Sequence, residues 1–324
     1  TRVPQDGRFH AEVSGRPIDF RVSTFPTSFG EKVAIRILDP QGGINKLTNL
    51  GLEGRNLKLL EENIRRPYGM ILITGPTGSG KSTTLYSILQ ILNQERYNIV
   101  SLEDPVEYYI PGVNQSQVRP EIEYTFATGL RSILRQDPDI IMVGEIRDKE
   151  TAELAVHSAL TGHLVLSTLH TNNAIGVIPR LIDMGVDPFL IPPTLILAIG
   201  QRLVRTLCKD SKKKVKLAGK IKEIITKDIE SMPPSLRDSL TGAMQQEIYQ
   251  AESSPTCPKG TRGRTAIFEI LAMTPELEKI IIAGPSEAKI TEEAKRQEMI
   301  TLRQDGIIKV LKGIIGIEEL LEVT

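Results

Sequence analysis

Residues 7 to 38 alternate apolar and polar positions with the period of two expected of strands. Ile18, Phe20 and Val22 share one face, and Asp19, Arg21 and Ser23 share the other. After a turn region at Pro26 and Gly30, Val33, Ile35 and Ile37 face one way and Arg36 the other. This pattern predicts a small β-rich module ending near Asp39-Pro40, followed by a linker at Gln41-Gly42-Gly43. From Leu50 to about Leu207 short apolar runs alternate with helical periods, the signature of a parallel sheet with helices on its faces. Strands are expected at 70–74, 98–102, 139–143 and 164–168. Helices are expected at 53–65, 81–93, 125–135, 148–160 and 174–184, with Leu57, Leu60 and Ile64 striping the first of them. Residues 208 to 260 lose this rhythm: Lys-rich, then polar, with Pro233-Pro234 and Ser253-Ser254-Pro255, they read as a weakly packed insertion. The last part, 265 to 324, reads as a compact helical piece after a short Thr265–Leu271 strand.

The most informative local feature is Gly75-Pro76-Thr77-Gly78-Ser79-Gly80-Lys81-Ser82, which fits the P-loop pattern G-x-x-x-x-G-K-[ST]. The apolar run Met70–Thr74 precedes it and a helix-forming stretch follows from Ser82 to Leu92. A strand that feeds a glycine loop opening a helix turns consecutive backbone N–H groups and the helix dipole onto phosphates. Lys81 is expected to reach the β/γ-phosphates and the Ser82 hydroxyl to hold Mg²⁺, with Thr83 following in the nucleotide-binding set. Such a pattern also arises by chance in glycine-rich loops, but the flanking strand and helix argue for a nucleoside triphosphate.

The acids fall at strand ends. Ile140 to Val143 is apolar throughout, suiting a strand buried on both faces, and Glu145 emerges at its carboxyl end, where open α/β sheets bind ligands. Its carboxylate could hold Mg²⁺ or orient water; the alternative is a helix-capping acid before Ile146. Glu103-Asp104-Pro105-Val106-Glu107 follows the Ile99–Leu102 strand. Three clustered acids repel unless a cation or an arginine sits among them, so Glu103 or Glu107 is a candidate for polarising water; a solvated acidic turn is the competing reading. His170 lies at the carboxyl end of the Leu164–Leu169 run and could sense the γ-phosphate, whereas His163, at the other end, is a structural or sensor candidate. Arg21 and Arg36 on the β module, and Arg131 and Arg135 one helical turn apart, could enter from outside the loop, although an ion pair is the default for any one of them.

At 324 residues the chain is long enough for two cores. Its 40 basic and 40 acidic residues cancel, so no global field draws it onto nucleic acid or membrane. Two cysteines point to a reducing compartment. The longest apolar stretch, Phe189 to Gly200, contains two prolines and falls short of the ~20 residues that span a bilayer. The run with Lys212, Lys213, Lys214, Lys216 and Lys220 lacks interleaved aromatics, so a solvated face is favoured over a nucleic-acid or lipid site. No signal peptide is visible, and a start at Thr1 close to a strand pattern suggests a fragment of something longer.

Taken in order, the P-loop, the acidic box Glu103–Glu107, Gly144-Glu145-Ile146-Arg147-Asp148 and the histidine box from Gly162 to Asn172 resemble the secretion ATPases of type II secretion and type IV pilus assembly. Gln5-Asp6-Gly7-Arg8 and Arg21-Val22-Ser23-Thr24 look like that family's N-terminal module. The likeness runs from about residue 4 to 324, with a gap around 210–255. It implies an α/β fold: a RecA-like P-loop core at 44–207 with a parallel sheet flanked by helices, after the end of a PAS-like β-rich module at 1–43. A degenerate metal-subdomain insertion at 208–264 and a helical C-terminal subdomain at 265–324 would follow.

The resemblance further implies a hexameric cytoplasmic motor, peripheral at the inner membrane, that hydrolyses ATP to drive pilin or pseudopilin assembly on a platform protein. On the same resemblance, the family's platform-docking N-terminal domains are expected to lie outside this sequence. In that reading ATP lies between the β module and the core, Arg21 and Arg36 close on its phosphates, and Arg131, Arg135 and Arg180 make nucleotide or subunit contacts. A nucleotide-binding scaffold with little turnover and a RecA-like nucleic-acid motor are the rivals. One departure stands out. The family carries paired C-x-x-C around the insertion, whereas this chain reads Cys208-Lys209-Asp210-Ser211 and Ser254-Pro255-Thr256-Cys257. Losing two thiolates leaves too few ligands for a closed tetrahedral site, so no zinc is expected.

Overall fold

The computed structural model describes residues 3–38, 46–241 and 247–324. The linker expected at Gln41-Gly42-Gly43, with the module end at Asp39-Pro40, lies outside the described residues. The alternation at the start becomes an antiparallel three-stranded sheet of β1 (Gln5–Val13), β2 (Arg16–Thr27) and β3 (Gly30–Leu38). Its register sets Arg21 opposite Arg36 and Phe20 opposite Ile37, so the guanidinium-bearing positions share the face opposite the apolar row.

A mixed seven-stranded sheet forms the centre, in the order β12-β9-β4-β8-β7-β5-β6. β4 (Gly69–Thr74), β5 (Ile99–Glu103), β7 (Ile140–Val143) and β8 (Leu164–Leu169) are parallel and buried along their whole length. Their near-continuous apolar runs match strands covered on both faces. Before, between and after these strands in the chain come α1 (Gly54–Asn63), α2 (Lys81–Leu92), α3 (Phe126–Ile133), α4 (Lys149–Leu160) and α5 (Val177–Asp183), close to the expected helices. α3 starts with a reciprocal Thr125/Thr128 capping box, and α4 with Asp148 accepting the Thr151 N–H at 2.8 Å.

Two strands of this sheet were not anticipated, and a third was expected shorter. β6 (Asn114–Gln117) is wholly polar and pairs only with β5, so it carries no apolar period to betray it. After the short helix α6 (Ile191–Thr194), the 13-residue β9 (Leu195–Leu207) pairs parallel with β4 from Leu195 to Gly200. β12 (Thr261–Ala272), longer than the expected 265–271, pairs antiparallel with β9 and closes that edge.

The insertion also differs from expectation. β10 (Lys213–Lys216) and β11 (Glu247–Gln250) pair antiparallel, and α7 (Gly219–Glu230) and α8 (Pro234–Thr241) lie between them in the chain. Ile225, Ile229, Met232 and Ile248 are buried with Val204, Ile267 and Ile307 in one apolar cluster. Weak packing is therefore wrong for this stretch: the i, i+4 spacing of Ile221, Ile225 and Ile229 gives α7 an inward stripe. At this strand pair, Lys214 pairs with Glu247 at 3.5 Å and the Lys212 ammonium stands 4.3 Å from the Tyr249 ring, while Lys213 and Lys216 face solvent.

The chain ends in α9 (Pro275–Ile282), α10 (Glu287–Arg296), α11 (Leu302–Leu311) and α12 (Ile317–Leu321). On α10 the buried Glu293 carboxylate takes hydrogen bonds from Arg296 Nε at 2.6 Å, Thr274 Oγ1 at 2.6 Å and Gln297 Nε2 at 3.0 Å. The Arg296 guanidinium, with these donors, holds that carboxyl down to about 2 from an ordinary 4.5. The folded value lies below the unfolded one, so this group's stabilisation is complete above about pH 4.5 and is lost as pH falls through about 2. Thermal melts across that window should show a gap between the parent and Glu293→Gln that narrows as the medium is acidified.

Candidate nucleotide site

β4 delivers the chain to the P-loop at the carboxyl edge of the sheet, and α2 starts at Lys81 immediately after it. Two glycines are required by their surroundings. Gly75 sits at φ +147°, where a Cβ would lie 2.3 Å from the Gln201 carbonyl oxygen; Gly80 sits at φ +89°, where one would meet the Gln201 side chain at 2.9 Å. Gln201 on β9 braces the loop: its amide donates to the Ser79 carbonyl at 2.9 Å and accepts from Thr84 Oγ1 at 2.9 Å. Lys81 folds over the loop, its ammonium donating to Gly75 O at 2.9 Å and Pro76 O at 3.2 Å. Burial lowers the Lys81 pKa and the Glu145 carboxylate opposes the shift.

A cavity of about 920 Å³ opens beside this loop. Thr77 to Thr83 line it, together with Glu103, Glu107, Glu145 and His170. Arg36, from β3, forms part of its wall; Arg21 does not line it, although it pairs with Arg36 across the strands. At the end of β7, Glu145 is largely buried, hydrogen-bonded by Arg147, and 3.3 Å from His170 Nε2. The histidine and the Glu145 carboxylate thus meet at the same sheet edge as the loop.

Other candidates lie elsewhere. His163 Nδ1 donates to the Ser158 carbonyl at 2.9 Å, and the residue is absent from the cavity wall. Arg131 pairs with Glu150, and Arg135 bonds the Arg131 carbonyl at 2.9 Å and Ser132 Oγ at 3.2 Å. Arg180 is on α5; none of these three arginines lines the cavity.

The acidic box divides by burial. Glu103 points inward, accepting from Tyr86 Oη, from Ser101 Oγ at 2.6 Å and from Gln115 Nε2 at 3.1 Å. Burial pushes its carboxyl up, against the pull of these donors. Asp104 lies 3.8 Å from Arg147, which is thus the arginine expected among the acids. Glu107 carries no ion pair among the described residues and lines the cavity. Arg147, Tyr86 and Arg264 of β12 also line the cavity, and none of the three is among the expected site residues. Arg147 lay inside a quoted motif; Arg264 had no local signal, because the pairing of β12 with β9 brings it there.

This geometry can be set beside known proteins. A family model described as type II/IV secretion system protein matches residues 1–322. The chain belongs to the type II/IV secretion system protein family. Among its members, type II secretion system protein E of Pseudomonas aeruginosa is 46% identical over 324 residues, all of this chain and 62% of that protein. The type IV pilus assembly ATPase PilB of Myxococcus xanthus is 47% identical over 322 residues, 99% of this chain and 55% of its own length. The secretion-family chain therefore spans about 62% of the length of the first of these relatives. Among solved structures, the pilus retraction motor PilT with bound ADP aligns with a TM-score of 0.70 at 30% identity, covering 99% of this chain and 77% of that one. The α/β P-loop fold with a parallel-rich sheet and C-terminal helices is the family's own. Among the described residues no helix is long and apolar enough to cross a membrane.

Proposed function

We propose that this chain is the ATP-hydrolysing part of a hexameric motor driving pilin or pseudopilin assembly in type II secretion or type IV pilus biogenesis. The observation that carries this reading is the convergence, on one cavity, of the P-loop with Glu145, Glu107 and His170, and of Arg36 from a different sheet. The relatives named for secretion and pilus assembly, and the retraction motor solved with ADP, support the nucleotide and the process. An inner-membrane platform protein is the proposed partner, with the motor bound peripherally on the cytoplasmic side.

The loop's N–H groups and the start of α2 bind the phosphates, and Lys81 neutralises their terminal charge. Magnesium fits the donors present: the Ser82 hydroxyl and the Glu145 carboxylate are hard oxygens on the cavity wall, and Ser79 Oγ is buried there with no hydrogen-bond partner among the described residues. Bound there, the ion supplies charge neutralisation at the phosphates. Glu107 takes the proton of the attacking water as its oxygen bonds to the γ-phosphorus and the bond to the β-phosphate oxygen breaks. His170 holds Glu145 and reads the state of the terminal phosphate. Arg36, with Arg21 behind it, closes on the phosphates and opens after release, and this movement is the proposed stroke. Arg131, Arg135 and Arg180 fit subunit contacts better than nucleotide contacts, and His163 a structural role.

Phosphate release, measured for the parent beside Lys81→Ala and Glu145→Gln, tests the reading. Equal rates in all three would favour a binding scaffold. Zinc has no fitted site: Cys208 and Cys257 lie within hydrogen-bonding reach of each other, but the remaining positions are neutral hydroxyls. Elemental analysis is expected to find no stoichiometric zinc, and one atom per chain would overturn that expectation.

A further inference from the structure

Tyr86 stands on α2, five residues beyond Lys81, and its ring is 1% exposed. A buried phenol needs partners for its hydroxyl. Here Oη has two, and they lie at the two ends of the acidic turn. A backbone N–H can only donate, so Oη accepts from the Glu107 amide at 3.1 Å, and its own proton goes to the Glu103 carboxylate. The other Glu103 oxygen is already taken by Ser101 and Gln115. The Tyr108 ring meets Tyr86 edge-to-face, centroids 4.5 Å apart at 84°, which fixes the phenol's direction.

We propose that Tyr86 is a positioning residue for Glu107: its hydroxyl latches both ends of the 103–107 turn to the P-loop helix, so that the base and the phosphate cradle keep one spacing. This rests on the hydrolytic reading above. Glu103 then acts as the buried anchor of the latch and not as the base itself. The arrangement also explains why an acid is kept in a buried place where its carboxyl is pushed up: three donors converge on it, and one of them belongs to α2.

Tyr86→Phe keeps the ring, its burial and its edge contact, and removes only the hydroxyl. Turnover of ATP should fall on the order of a hundredfold, the effect of a small misplacement of a reacting group. KM for ATP should stay within about threefold, because the cradle and Lys81 are untouched. The Glu107 amide should exchange its hydrogen about tenfold faster, as expected for one lost hydrogen bond. A variant that melts lower but keeps the parental kcat and exchange rate would overturn the proposal, as would a parallel loss of nucleotide affinity. A parent that releases no phosphate would sink the hydrolytic reading instead, and exchange at Glu107 would still decide the latch.

Discussion

Lys81→Ala should reduce phosphate release by about a thousandfold, the scale of removing a preorganised charge from developing phosphoryl charge. The buried ammonium rests against the Gly75 and Pro76 carbonyls, and its pKa is lowered by burial, a shift that Glu145 opposes. The brace from Gln201 does not involve Lys81, so the variant should fold as the parent does. Retention of an ATP analogue with magnesium, followed by equilibrium dialysis, should fall together with turnover. A variant still retaining the analogue as tightly as the parent would remove Lys81 from the cradle.

Glu107→Gln should cost about a hundredfold to ten-thousandfold in turnover, the usual contribution of a general base, with analogue binding changed little. The contacts of the other two acids leave Glu107 for this role. Glu145 is held by Arg147 and His170 beside Lys81, and Glu103 is spent on Tyr86, Ser101 and Gln115. Glu107 faces the same cavity with no ion pair among the described residues. Gln keeps the shape and loses the basic oxygen. Single-turnover phosphate release at saturating ATP reads the step directly; an unchanged rate would return the role to Glu145.

How much of this could be read from the residues follows from how local each signal is. The strands at β4, β5, β7 and β8 were legible because an apolar run bounded by turn residues needs no partner to be recognised. β9 was not, because Pro192-Pro193 interrupts its approach and Gln201, Arg202 and Arg205 break its period. β6, Asn-Gln-Ser-Gln, has no apolar residue at all. In the site, the P-loop was legible as one contiguous cradle, and Glu145 and His170 as residues at strand ends. Tyr86 read as an ordinary helix residue, since its meaning lies in a hydroxyl meeting residues 17 and 21 positions away. Arg264 is the extreme case, since it reaches the phosphate loop only by way of a strand beyond the insertion.

That last strand has a bearing on how the molecule can be cut. β12 supplies the outer hydrogen-bonding partner of β9 from Leu197 to Leu207, and β9 in turn steadies the glycine loop through Gln201. A truncation made ahead of residue 261, on the view that everything beyond the P-loop half is an appendage, would leave a long apolar strand with a bare row of amides and carbonyls. Such a rim recruits other chains and seeds aggregation. The P-loop half and the strand beyond the insertion thus share one sheet, and a cut between them should yield protein that aggregates.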